Sequence, residues 1–303
     1  MMYQEYFGLT EAPFSITPDT GYFYSYGHFS EALNTLLIAL RADEGFIKVT
    51  GEVGTGKTML CRKLLNTLED RFVTAYIPNP MLTPYGLQSA VAEELGLEMS
   101  RHYGHHQLLK MITDRLLELT EQGKSVVLSI DEAQAMPKET LEALRLLTNL
   151  ETEKQKLLQV VLFGQPELDE RLNEKDVRQL KQRITFSYQL KPINRESMEH
   201  YLSHRLGVAG YKGKKLFEDK AMGSLFKASR GIPRLINILS HKSLMVAYGK
   251  GTKQVSNQHM KSAIKDTEDA QLRSSEKTKT QMYLALAIAT IAATVLYFLF
   301  QGN

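Results

Sequence analysis

Gly51-Glu52-Val53-Gly54-Thr55-Gly56-Lys57-Thr58 sets glycines, a lysine and a threonine at the spacing of a phosphate-binding loop. The glycines let successive backbone N–H groups turn toward phosphate oxygens. The N-terminus of a following helix, from Met59 on, adds its partial positive charge. Lys57 is spaced to reach the β- and γ-phosphates, and Thr58 to ligate Mg²⁺. Residues 51–59 are therefore the expected contacts for ATP. A second candidate cluster, Asp131-Glu132, closes the apolar run at 125–130. Asp131 is expected to hold Mg²⁺ and Glu132 to orient and polarise the attacking water. Gln165, directly after the next apolar run, is the polar side chain expected to contact the γ-phosphate or the water.

Charge that builds up in phosphoryl transfer is stabilised by guanidinium groups, often delivered from another domain or subunit. Arg234, in Gly231-Ile232-Pro233-Arg234, starts a helical stretch (235–247) after a constrained turn and is a sensor-type candidate. Arg183, and behind it Arg178, precede an extended stretch at 184–190 and are candidates for a finger reaching a neighbouring subunit's nucleotide.

Those residues need strands that end where helices begin. Residues 46–50 read as a strand into the phosphate loop, and 59–68, with Leu60, Leu64, Leu65 and Leu68 on one face, as the helix after it. Helical spacing recurs at 31–42, from Thr83-Pro84 onward, at 107–121 and at Leu141, Leu144, Leu147 and Leu150. Extended stretches fall at 72–77, 125–130 and 157–163. The near-continuous apolarity of 125–130 is what a parallel strand covered on both faces requires. The alternation predicts an α/β fold with a doubly wound parallel sheet, its ligand site at the carboxyl ends of the strands.

GEVGTGKT, LSIDEAQ, GQPEL and GIPRLIN, together with the opening YFGLTEAPFSITPD, resemble the AAA+ ATPases. More narrowly they resemble the ExeA/GspA-like secretion ATPases, and within these the ATPases of MSHA-type pilus biogenesis. The resemblance covers nearly the whole chain. It implies an ATPase core at 31–191, flanked by an N-terminal segment at 1–30 and followed by a small helical lid at 192–265. Nucleotide-linked homo-oligomerisation and an adenine pocket lined by Pro13, Phe14 and Ile16 are also implied. Secretion members carry a peptidoglycan-binding domain after their membrane helix. The sequence has only Gln301-Gly302-Asn303 after residue 300, so no direct role in opening the cell wall is expected.

The 303 residues are 43% hydrophobic, enough for one large core and a smaller one. The single cysteine, Cys61, excludes a disulfide within the chain. Glu5, Glu11 and Asp19 interrupt the N-terminus, so no signal peptide is expected there. Residues 282–300 are free of charge, glycine and proline, and at about 1.5 Å per residue they read as one transmembrane helix after a polar linker at 266–281. With Lys277 and Lys279 ahead of it, the expected location is the inner membrane, single-pass, with the ATPase domain in the cytoplasm.

Residues 191–253 hold 13 Lys and Arg against 4 Asp and Glu, a basic segment hidden by the overall net charge of +3. Such a segment suits an anionic lipid, an acidic partner or nucleic acid, the last being disfavoured by a membrane tether. His102, His105 and His106 lack the carboxylate or cysteine companions of a metal site. The function expected is a membrane-anchored ATPase that assembles or positions a component of a pilus or secretion system, with inner-membrane assembly proteins as partners. The alternative is a nucleotide-dependent scaffold or a target-selecting, DNA-binding ATPase of the transposition type.

Overall fold

The computed structural model describes residues 2–25, 27–98, 103–152 and 156–271. In chain order the elements are α1 (Met2–Phe7), α2 (His28–Arg41), β1 (Phe46–Gly51), α3 (Lys57–Leu65), β2 (Phe72–Ile77), α4 (Pro84–Glu94) and α5 (His105–Glu121). Then come β3 (Ser125–Ile130), α6 (Lys138–Leu147), β4 (Gln159–Gly164), α7 (Glu167–Leu172), α8 (Arg178–Lys181), β5 (Phe186–Leu190) and α9 (Arg195–Val208). α10 (Asp219–Ser229), α11 (Pro233–Gly249) and α12 (Asn257–Lys265) complete the series. The chain divides into two compact units: Thr17–His204, and Met1–Ile16 with Arg205–Asn303.

The first unit is built on a parallel sheet in the order β2-β3-β4-β1-β5. Alternate residues of its inner strands, Val126, Leu128 and Ile130 with Val160 and Leu162, join one cluster with Leu87 and Val91 of α4, Ile112 and Leu116 of α5 and Leu144 of α6. The intervening residues, Val127, Ser129, Val161 and Phe163, are buried as well, and α3 packs on β1 and β4. Two covered faces explain the near-continuous apolar runs. Each fully buried leucine contributes about 1.5–3 kcal/mol relative to exposure. β1 lies between β4 and β5, which are its neighbours in space but not in sequence. The chain therefore leaves β1 for the far edge at β2, and the strand order reverses at β1, where an open α/β sheet leaves a crevice beyond its strand ends.

Local signals account for several boundaries. Thr83 caps α4 by accepting from the Gly86 N–H at 3.1 Å, with Pro84 at the first helical position. β4 starts at Gln159 and not at 157, because the Leu157 N–H bonds back to the Leu150 carbonyl. β5 starts at Phe186 and not at 184, because the Arg183 and Ile184 N–H groups bond to Leu180 and Lys181.

The second unit is helical. α11 packs against α1, α10 and α12, and α10 against α12. Arg205, 4% exposed, donates to the Pro13 carbonyl and, at 3.3 Å, to that of Ser15, which also accepts from Asn237 at 3.4 Å. These bonds fasten the first residues of the chain to helices contributed some 200 positions later.

The expectation of a single-pass inner-membrane protein is corrected. Among the described residues no helix is long and apolar enough to cross a membrane. Residues 282–300 and the linker beyond 271 lie outside the described residues, as do His102, Lys277 and Lys279.

Candidate functional site

The phosphate loop leaves β1 at Gly51 and enters α3 at Lys57, two residues earlier than the leucine periodicity indicates. A Cβ at Gly51 would sit 2.8 Å from the Leu190 carbonyl oxygen and 2.9 Å from Thr55 Oγ1, so a larger residue would displace β5 or the loop. Gly56 caps α3 at φ 100°, a left-handed conformation that admits glycine at least cost. Thr55, fully buried, braces the loop by donating to the Glu52 carbonyl at 2.8 Å. Glu52 and Val53 form the exposed crest, and Gly54 has φ 80°.

Lys57 is 5% exposed and donates to the carbonyls of Gly51 at 2.7 Å and Glu52 at 3.0 Å. Burial lowers its proton affinity, while the Glu132, Asp131, Glu52 and Glu167 carboxylates pull it back up. Thr58 and Met59 follow in the first turn of α3, both half-buried. Thr58 Oγ1 donates to Asp131 Oδ2 at 2.6 Å, joining the loop after β1 to the end of β3. Asp131 is 2% exposed, and its other oxygen accepts from the Glu132 N–H at 2.9 Å. Burial raises its proton affinity above the ordinary carboxylate range, against the lowering effect of the Thr58 and Glu132 hydrogen bonds and of Lys57.

Glu132 has φ 51°, a strained backbone for a non-glycine residue that costs about 1–3 kcal/mol and is characteristic of functional sites. Its Oε2 accepts from Gln134 Nε2 at 2.6 Å and from Gln165 Nε2 at 3.2 Å. β4 lies between β1 and β3, so Gln165 at its end faces the Asp131-Glu132 turn. Lys57, Thr58, Asp131, Glu132 and Gln165, far apart in sequence, thus converge at adjacent strand ends. Gln134 and Arg171, which donates to the Gln134 carbonyl, were not singled out by spacing. Their roles depend on which strand separates β1 from β3.

The remaining candidates make other contacts or belong to the second unit. Arg183 donates to the Thr148 carbonyl at 2.9 Å and to its hydroxyl at 3.4 Å, closing the C-terminal end of α6. Arg178 is exposed at the start of α8. Arg234 is the exposed second residue of α11, behind Pro233, in the helical unit. Pro13, Phe14 and Ile16 belong to that unit too. Phe14 is buried edge-on against Phe217, whereas Ile16 is 61% exposed. His105 and His106 open α5. Cys61 is fully buried in α3, where burial pushes its thiol far up, away from the reactive thiolate.

The fold is a parallel-sheet P-loop α/β core of the AAA type. Residues 40–172 match the family described as "AAA domain". The chain is 41% identical over 293 residues to the general secretion pathway protein A of Aeromonas hydrophila, covering 97% of this chain and 53% of that protein. It therefore spans about half the length of this relative. Similarity to an ExeA/GspA-like ATPase, read from the motifs, is supported, and nothing singles out the MSHA pilus members. Among solved structures, Cdc6p from Pyrobaculum aerophilum superposes with a TM-score of 0.65 at 19% identity, covering 82% of this chain and 70% of that one. ORC2 of Aeropyrum pernix, solved as ADPNP–ADP complexes, gives 0.59 at 16% identity, with 83% and 72% covered. At such identities the likeness shows the fold.

Proposed function

We propose that this chain binds ATP with Mg²⁺ at the ends of β1, β3 and β4 and hydrolyses it. The observation that carries the reading is the 2.6 Å contact of Thr58 Oγ1 with Asp131 Oδ2, with Glu132 the next residue. A hydroxyl and a buried carboxylate, side by side beneath a glycine loop, form a donor set of hard oxygens that suits Mg²⁺. The proton affinity of Asp131, raised by burial, is what a nearby divalent cation would offset. When bound, the ion neutralises charge on the β- and γ-phosphates. The backbone N–H groups of residues 51–59 hold the phosphates in place. Lys57 exchanges its two loop carbonyls for phosphate oxygens. Glu132 orients the attacking water and takes its proton, and Gln165 contacts the water or the γ-phosphate.

Arg234 is assigned as the sensor arginine, and the helical unit as the lid that carries it. Arg183 is assigned to a neighbouring subunit's nucleotide in a homo-oligomer, a role that requires its hold on Thr148 to open. Similarity to a general secretion pathway protein, and the sequence resemblance to pilus-biogenesis ATPases, support work on an assembly protein of a pilus or secretion system. The basic stretch at 191–253 favours an acidic partner, and it is also the feature that supports the DNA-binding alternative.

Lys57→Ala tests the reading. Loss of nucleotide binding by calorimetry, with loss of phosphate release, is expected. Unchanged affinity would remove the loop as the nucleotide site.

A further inference from the structure

Gln134 stands two residues after Glu132, in the short 3-10 turn Ala133–Ala135, and both ends of its side-chain amide are engaged. Nε2 donates to Glu132 Oε2 at 2.6 Å, and Oε1 accepts from the Gln165 N–H at 3.0 Å. A flipped amide would set its NH₂ group against the Gln165 N–H and its carbonyl against a carboxylate. The orientation is therefore fixed by chemistry at both ends. Arg171, from α7, fixes the backbone of the same residue by donating to its carbonyl. Gly164 lies beside the amide: a Cβ there would clash with Leu168 Cδ2 at 2.7 Å and stand at ordinary contact distance, 3.4 Å, from Gln134 Oε1.

Glu132 Oε2 thus receives two amide donors, whereas its Oε1 makes no hydrogen bond among the described residues. One oxygen is held and the other is left to meet the water.

We propose that Gln134 is a positioning residue for hydrolysis: its amide selects the Glu132 oxygen that acts on water and locks that carboxylate to the end of β4. The inference rests on the hydrolytic reading of the same site. Glutamine is suited to the role because one planar group supplies a donor for the carboxylate and an acceptor for the backbone N–H. Glutamate at this position would keep the acceptor and lose the donor, and methionine would lose both at similar size.

The test compares wild type, Glu132→Gln, Gln134→Glu and Gln134→Met for nucleotide affinity and for kcat. In Gln134→Glu, two carboxylates face each other at the distance of a short hydrogen bond. At neutral pH kcat is expected to fall by on the order of 10- to 100-fold with affinity retained, as for a displaced catalytic group. Gln134→Met is expected to lose kcat at retained affinity as well, since it keeps the size and removes both hydrogen bonds. A wild-type kcat in Gln134→Glu, or affinity falling in step with kcat in Gln134→Met, would overturn the proposal. Were Gln134→Glu to lose nucleotide binding altogether, Gln134→Met decides: lower kcat at retained affinity supports it, and wild-type kcat overturns it. Failure of the hydrolytic reading shows separately, as hydrolysis surviving in Glu132→Gln. If that variant is inactive while both Gln134 variants keep wild-type kcat, this inference alone fails.

Discussion

In the unit Thr17–His204 two buried ionisable groups, Lys57 and Asp131, lie just beyond strand ends, and burial works against their charged forms: it lowers the proton affinity of Lys57 and raises that of Asp131. In the helical unit the buried Arg205 spends its donors on the backbone carbonyls of Pro13 and Ser15, binding the start of the chain to later helices. The same physical situation, charge out of water, has opposite consequences. At the strand ends the groups are held ready for a ligand and reduce the stability of the ligand-free protein. Around Arg205 they are matched within the unit and add to stability. Left-handed backbone does not follow this division: Glu132 is held at φ 51° beside the groups assigned to catalysis, and Asp43 and Arg230 have φ 59° and 57°.

The largest expected effect of breaking this comparison is at Arg205. Arg205→Ala removes the donors to two carbonyls and leaves a void around a residue that is 4% exposed. A loss of about 2–4 kcal/mol is expected from unsatisfied acceptors and lost packing, measured by urea denaturation. A change below the error of that measurement would mean that the N-terminal segment is held by other contacts.

A smaller effect of opposite sign is expected at Asp131. Because its folded-state proton affinity is raised, the folded protein binds a proton between the ordinary carboxylate pKa and the raised value, where the unfolded chain does not. Stability of the nucleotide-free protein therefore falls as pH rises through that interval and is lowest above it. Asp131→Asn can keep the acceptor for the Glu132 N–H and offer its amide to Thr58 while removing the buried charge. A gain of about 0.5–2 kcal/mol at neutral pH and a flatter pH profile are expected by thermal melts, together with loss of Mg²⁺-dependent stabilisation by ATP. Destabilisation would show that the charge is already compensated in the ligand-free protein.

The sequence made the strand-end chemistry legible because its signals are local. The phosphate loop carries its own turn chemistry, and 125–130 announces a buried strand by its composition. Arg205 gave no such signal, since a charged residue on a helix becomes structural only when Pro13 and Ser15, almost two hundred positions earlier, lie against it. Gln134 escaped for a related reason: only the placement of β4 between β1 and β3 brings the Gln165 N–H to its amide. Boundaries slipped where backbone bonds outweighed side-chain pattern. The leucine periodicity of α3 points to Met59, yet the helix opens at Lys57 because Gly56 supplies its cap. Single-sequence periodicity reports which residues face a core and not which strands become neighbours.

The proposed mechanism divides binding from hydrolysis by residue: residues 51–59 and Asp131 hold the nucleotide with its Mg²⁺, and Glu132 acts on water alone. It is tested most directly by measuring ATP affinity and phosphate release side by side in wild type and Glu132→Gln. The division predicts retained affinity and a loss of release on the order of 100-fold or more, the usual scale for a general base. Phosphate release near the wild-type rate in Glu132→Gln would contradict it.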